Sequence, residues 1–303
     1  MGIYDSSRTR VAPVFGRLQC LDPSGRLWLQ GLLDLANTRK LSRPEAGTSR
    51  LRVAKWWPRE AKLAAPPGLL RWLLENAQEP RDAAAWGRRP EVMANRRRVV
   101  DRDADTLAGA LQSLQERRPS ARAWYVLEGP SQPDVFLDTA DSVIVIEGKR
   151  SEPDLATATA WMPVRHQMLR HLDAAWEHRQ GRRIYGLFIV ETEEGAASVE
   201  PSSAWHQAVE ATVSEDVLTG SLPHRSPEER SQIASALLGV TTWQAVCDEF
   251  QIPREVLIPE VFDERRAVGT TRRKSGRSPR PAVLPGDVDQ VAPSGAAAGS
   301  AST

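Results

Sequence analysis

Between Val135 and Ile146 the chain has room for two short strands and a tight turn, and for little else. Val135 to Leu137 is apolar, Ser142 to Ile146 is a run rich in Val and Ile, and Thr139 to Ser142 forms a four-residue turn containing Asp141. A connection this short sets the register of the strands it joins. With the turn centred between Ala140 and Asp141, residues whose numbers sum to 281 lie opposite one another, so Asp134 faces Glu147. Trp124 to Leu127, aromatic and β-branched, reads as a preceding strand, joined through the break Gly129-Pro130-Ser131-Gln132-Pro133. The expected unit is an antiparallel meander of three strands.

Directly opposed Cβ atoms in such a sheet lie roughly 4.5 to 5.5 Å apart, and like charges there are destabilising unless something neutralises them. Glu128 ends the first expected strand, Asp134 begins the second and Glu147 ends the third, so an up-down-up path gathers the carboxylates at one edge, with Lys149 on the face of Glu147. Hard oxygen donors at such an edge suit Mg²⁺, with Mn²⁺ as a substitute, because Mg²⁺ takes one or two carboxylates and keeps several waters. An ammonium beside a metal-bound water orients it and stabilises charge developing on a pentavalent phosphorus. The plainer reading is that Asp134 and Glu147 are strand-end acids paired with Lys149 and Arg150, and that Glu128 only caps the hairpin.

Pro133-Asp134, twelve residues, then Glu147-Gly148-Lys149 resembles the motif of the PD-(D/E)XK nuclease superfamily. The resemblance spans residues 103–191 and implies an α/β fold with a restriction-endonuclease-like core of helix, three-stranded meander, helix and strand. Asp103 to Arg117, with Leu107, Ala110, Leu111 and Leu114 at helical spacing, supplies the leading helix. Pro163 opens the second helix, whose stripe of Val164, Met168, Leu169, Leu172, Ala175 and Trp176 runs to Gly181. Arg183 to Glu191 is a continuous apolar run that reads as a buried fourth strand. The resemblance implies that Asp134 and Glu147 bind the metal, with the Gly148 carbonyl and Glu128 as further ligands. It also implies that Lys149 is the charged catalytic group and that Gln167 helps to position water or phosphate.

Three of the five histidines, His166, His171 and His178, fall on the second helix. Gln167 and His171 lie within about 40° of each other on one flank of its apolar stripe. Arg165 falls inside the apolar sector, where an unpaired guanidinium is costly, so it needs an anionic partner: Glu147 and its neighbours, or a bound phosphate. The expected activity is metal-dependent phosphodiester hydrolysis, with DNA as the nucleic-acid partner and the protein acting as an endonuclease. The main alternative is a catalytically silent nucleic-acid-binding or scaffolding protein of the same fold. A small-molecule phosphohydrolase, which would show a closed pocket, is the third.

Composition narrows the class. At 303 residues, 41% hydrophobic and 26% charged, the chain is long enough for one large core or two small ones. Its apolar runs are far too short to span a membrane, which sets cytoplasmic residence as the expectation. Two cysteines, Cys20 and Cys247, are too few for a disulfide framework or a cysteine zinc site. Residues 1–100 read as an extension packed on the core, 101–195 as the catalytic core, 196–263 as a helical part and 264–303 as a disordered basic tail. Within the first part, residues 1–15 read as loosely attached and Val14 to Gly31 as a small hairpin about the Asp22 to Gly25 turn, while Trp56-Trp57 between Lys55 and Arg59 is a candidate base-stacking pair. Near the other end, Ser226-Pro227-Glu228-Glu229 is a capping box, and the two helices joined by Gly239-Val240-Thr241 have a helix-turn-helix spacing. Whether a second copy or a specificity-bearing partner takes part is open at this point.

Overall fold

The computed structural model describes residues 6–258 except 41, 47–49, 117–119, 121, 151–155 and 193–198; the expected tail, 264–303, lies outside the described residues. All described residues belong to one compact unit. Its centre is a five-stranded mixed sheet built from β1 (Val53–Trp56), β2 (Val135–Asp138), β3 (Ser142–Gly148), β4 (Arg183–Val190) and β5 (Leu237–Thr242), ordered as in the chain. β1, β2 and β3 are mutually antiparallel, whereas β3–β4 and β4–β5 are parallel. Val135 pairs with Ile146 and Asp138 with Val143, which is the register that the turn demands. Thr139 holds that turn, its Oγ1 accepting from the backbone N–H of Asp141 at 3.1 Å and of Ser142 at 2.9 Å.

Both faces of the sheet are covered. α1 (Ala12–Leu21), entered through a π-helical turn Ser7–Val11, and α2 (Leu29–Ala36) pack Val14, Phe15, Leu18, Leu32 and Leu33 onto Val135, Leu137, Ile144 and Ile146. α6 (Gln167–His178) packs Met168, Leu169 and Leu172 onto Val143, Val145 and Phe188 on the other face. Gly186 lets α6 come this close, because a Cβ there would lie 2.8 Å from Leu172 Cδ2. A separate apolar cluster joins α3 (Pro67–Glu75) to α4 (Pro90–Val100) and α5 (Ala104–Glu116). After β4 come α7 (Ser203–Thr212), α8 (Glu215–Ser221), α9 (Pro227–Ala236) and, beyond β5, α10 (Trp243–Glu249). No helix among the described residues is long and apolar enough to cross a membrane.

Several expectations need correction. Trp124 to Leu127 is not a strand; Tyr125, Val126 and Leu127 pack into the α3–α5 cluster, and β2 takes its outer partner from Val53–Trp56 instead. Strand propensity describes a fit to a pleated, half-buried surface, and proximity in sequence does not decide which segment finds one. Three antiparallel strands are therefore present, but residues 57–134 intervene between the first and second. The expected leading helix, α5, contacts α3 and α4, while α1 and α2 cover the sheet. Val14 to Gly31 forms helices, not a hairpin, because Val14, Phe15 and Leu18 share a buried helical face; the Asp22 turn connects α1 to α2. Residues 6–15 are part of the core, and the first hundred residues supply an edge strand. Leu237–Thr242 is a parallel strand between α9 and α10, which removes the helix-turn-helix, although the Ser226–Glu229 capping box forms as expected.

The second helix starts at Gln167, four residues later than expected, because the preceding backbone donors are taken elsewhere. Arg165 N–H donates to Thr157 O at 2.7 Å, His166 N–H to Ser221 Oγ at 3.0 Å and Gln167 N–H to Ala156 O at 2.8 Å. Arg165 thus precedes the helix, fully buried, with its guanidinium bonded to Glu128, to Asp173 at 2.9 Å and to Ser221 O at 2.7 Å. Asp173 also accepts from Arg225 at 2.8 Å, and the charges of Arg165, His224 and Arg225 outweigh its burial and hold its carboxyl far below the usual carboxylate range.

Removing one member of such a group strands the others in a low-dielectric interior. Asp173→Ala should lower unfolding free energy by about 3 to 5 kcal/mol, read as the shift in urea midpoint at constant slope; an unshifted midpoint would show that Glu128 alone satisfies Arg165.

Candidate active site

Asp134, Glu147, Gly148, Lys149 and Gln167 come together at one end of the sheet, where β2 begins and β3 ends. Continuing the Val135–Ile146 pairing by one residue sets Asp134 opposite Glu147. The Lys149 backbone extends the parallel ladder, its N–H donating to Ile189 O at 2.9 Å, and its carbonyl accepts from Trp243 Nε1 at 3.1 Å. Gly148 has no room for a side chain: a Cβ would lie 2.8 Å from Trp243 and 2.9 Å from Val11. The peptide carrying the motif is therefore held on both sides.

Glu147 is buried, yet every oxygen of its carboxylate has a donor. Oε1 receives Gln167 Nε2 at 2.6 Å and Lys149 Nζ at 3.1 Å, and Oε2 lies 3.1 Å from His171 Nε2. Lys149 Nζ also donates to Gln167 Oε1 at 3.1 Å, so Glu147, Lys149 and Gln167 close a triangle. An ionised carboxylate can only accept, so His171 Nε2 carries the proton. On its other side His171 Nδ1 lies 2.6 Å from Ser131 Oγ. Burial alone would raise the Glu147 pKa; the hydrogen bond and charge of His171 and the charge of Lys149 outweigh it and hold the carboxyl below its ordinary value.

Asp134 has the opposite balance. Burial and the facing charge of Glu147 push its carboxyl up to about 7, and the donors that oppose them are too few: Ser7 Oγ at 2.6 Å on Oδ1, Gly148 N–H at 2.9 Å on Oδ2, and the charge of Lys149. Ser6 Oγ donates to the Gly148 carbonyl at 3.0 Å. Two hydroxyls of the N-terminal turn thus sit on two of the oxygens expected to bind a metal.

Glu128 stands apart from this group. Its carboxylate is bonded to Arg165 at 3.0 Å and lies 3.4 Å from Arg170, so it fills the role that charge burial demanded for Arg165. Beside the triangle lies a cleft of about 370 Å³ lined by Gln132, Arg165, Gln167, Arg170 and His171 among others. Among the described residues no group of three or more His, Cys, Asp or Glu side chains is arranged to hold a metal ion. The available set is two carboxylates and one carbonyl, hard oxygen donors of the kind a hard cation takes, and Ser6, Ser7, Lys149, Gln167 and His171 are bonded to those oxygens.

His171 was recognisable from its spacing to Gln167, but only as a neighbour. Ser131, in a proline-rich break, and Ser6 and Ser7, in a segment read as loose, carried no sequence signal. Comparison with protein-family models, curated proteins and solved structures gave no match.

The Asp134 carboxyl gives a pH test with a definite sign. Its folded-state pKa lies above the unfolded value near 3.8, so the folded state holds the extra proton. The associated stability is complete below about pH 4 and is lost as pH rises through 7, by up to about 4 kcal/mol. Asp134→Asn should flatten this slope relative to wild type and unfold at higher urea than wild type at pH 8. Parallel pH profiles of the two proteins would place the Asp134 carboxyl in water.

Proposed function

We propose that the protein is a metal-dependent phosphodiester hydrolase acting on DNA as an endonuclease, with Asp134, Glu147 and the Gly148 carbonyl holding Mg²⁺ or Mn²⁺. The observation that carries this reading is the facing pair of carboxylates, Glu147 buried with its pKa lowered and Asp134 partly buried with its pKa raised, beside a lysine on the same strand end. The order of elements supports it. A helix-covered sheet of three antiparallel strands, a crossing helix α6 and a parallel β4 follows the order expected of a restriction-endonuclease-like core if residues 57–134 are read as an insertion between its first two strands.

When bound, the metal supplies a Lewis acid that acidifies a water and neutralises phosphate charge. The side chains do the rest. Lys149 is partly exposed, and its ammonium would stabilise the negative charge that builds up on the phosphoryl oxygens in the transition state. Gln167 fixes both Lys149 and Glu147, which removes their rotational freedom before substrate arrives. His171, itself steadied by Ser131, keeps the second Glu147 oxygen in place. Arg170 offers a partly exposed guanidinium beside the cleft for a second phosphate. Glu128 serves Arg165 and stays outside the metal-binding set. The Ser6 and Ser7 hydroxyls on Gly148 and Asp134 favour the rival reading, a silent nucleic-acid-binding protein in which hydrogen bonds replace the metal.

Incubation with plasmid, linear and single-stranded DNA in Mg²⁺, Mn²⁺ or EDTA separates the two. Cleavage should require the metal. Lys149→Ala should keep its fold and lose roughly 10²-fold or more in turnover, the scale for one preorganised charge-stabilising donor. A folded Lys149→Ala that cuts at the wild-type rate, or a wild type that cuts none of the three DNAs, would overturn the assignment.

A further inference from the structure

Among the described residues β1 is an edge strand, bonded to β2 on one side only. Along it runs a groove of about 550 Å³ whose lining includes Arg52, Lys55, Trp56, Trp57 and Arg59 and no acidic residue. All three cations are exposed, and among the described residues none of them forms an ion pair. The two tryptophans differ. Trp56 faces inward, its ring centroid 6.0 Å from that of Phe15, whereas Trp57 continues past the strand end and is half-buried at the groove.

The pairing register locates this groove relative to the candidate active site. Val53 pairs with Asp138 at the far end of β2, and Trp56 pairs with Val135, the neighbour of Asp134. The Trp57 and Arg59 end is therefore the active-site end. Lys55 pairs with Phe136, so its side chain is on the sheet face shared by Asp134 and Glu147. β1 and β3 are two strand spacings apart, roughly 10 Å. Positive charge on an edge strand has a plainer use, which is to prevent edge-to-edge pairing. That use needs neither a groove nor an aromatic ring at its end, and it does not need the charges to run toward the facing carboxylates.

We infer that the β1 groove binds single-stranded nucleic acid, with Arg52, Lys55 and Arg59 along the phosphates and Trp57 stacking on a base, and leads the strand to the Asp134–Glu147 end of the sheet. The inference deepens the nuclease reading and rests on it for its direction. Single strands are specified by the ring: a duplex keeps its bases stacked on each other and presents backbone, so Trp57 would meet no base face, whereas an unpaired strand can offer one. Cations spaced along one strand match one phosphate backbone, not two.

The test is binding of a fluorescent 12-nucleotide single strand and its duplex to the full chain in EDTA, where no metal-dependent cutting occurs. Wild type should prefer the single strand. Lys55→Ala combined with Arg59→Ala should weaken it at least tenfold at low salt and reduce the slope of log Kd against log salt by about 1.4, two phosphate contacts at the single-strand value. Trp57→Leu should weaken binding about tenfold with the slope unchanged, as loss of one stacked base does. Unchanged affinity in folded variants, tighter binding of the duplex, or equal binding of polyglutamate would overturn the groove assignment; the last would point to an acidic peptide. The two readings fail separately. A wild type that binds through the groove but never cuts would remove the nuclease and keep the groove, and groove variants that bind and cut like wild type would do the reverse.

Discussion

The pairing of β2 with β3 is the constraint from which the site follows. A four-residue turn held by Thr139 leaves one register open, and in that register two carboxylates face each other across adjacent strands. A slip by one residue would send Glu147 to the α1 face and Gly148 to the α6 face, and would bury Ile146 against the wrong helix. The turn prevents this, and so do the α6 donors that hold Glu147. Ile144 and Ile146 belong to one core and Val143 and Val145 to the other, so hydrophobic packing holds β3 on both faces while the turn sets its register.

The charge balance at the strand ends then sets what the site can do. Asp134 and Glu147 share one nearby ammonium, and the two respond differently because their donors differ. Glu147 has His171, Lys149 and Gln167; Asp134 has a serine hydroxyl and one backbone N–H. A cation accepted between them would relieve the repulsion of the pair. The Arg165 cluster next to the site is a different kind of polar interior. Glu128 and Asp173 compensate its guanidinium there, and Asp173 also binds Arg225, so the cluster forms part of the scaffold that holds α6, and with it Gln167 and His171, against the sheet.

Short-range geometry was legible in the sequence and long-range partnership was not. The β2–β3 turn, the capping box and the helical spacing of Gln167 and His171 depend on geometry within a few residues, and β4 is marked by the composition of its own segment; each is found as read. Residues 57–134 separate β2 from the partner of its outer edge, and nothing in Val53-Ala54-Lys55-Trp56 states that pairing. Trp124 to Leu127 had the stronger strand composition and went to a helix cluster, because burial is decided by what lies opposite. The start of α6 was misplaced for a related reason: loop carbonyls at Ala156 and Thr157 and a distant serine, Ser221, capture the backbone donors that would have begun the helix at Pro163. Ser6 and Ser7 reach Gly148 and Asp134 from 142 and 127 residues away, a contact for which no local pattern exists.

If the facing carboxylates form a cation site, binding must show up in the folded protein whether or not it cuts anything. The most direct measurement is the melting temperature of wild type and Asp134→Ala at pH 8 as Mn²⁺ or Mg²⁺ is titrated in, since a ligand that binds only the folded state raises it with concentration. The wild type should rise and the variant should stay flat. An equal rise in both, or no rise in the wild type at millimolar metal, would contradict the placement of a metal between Asp134 and Glu147.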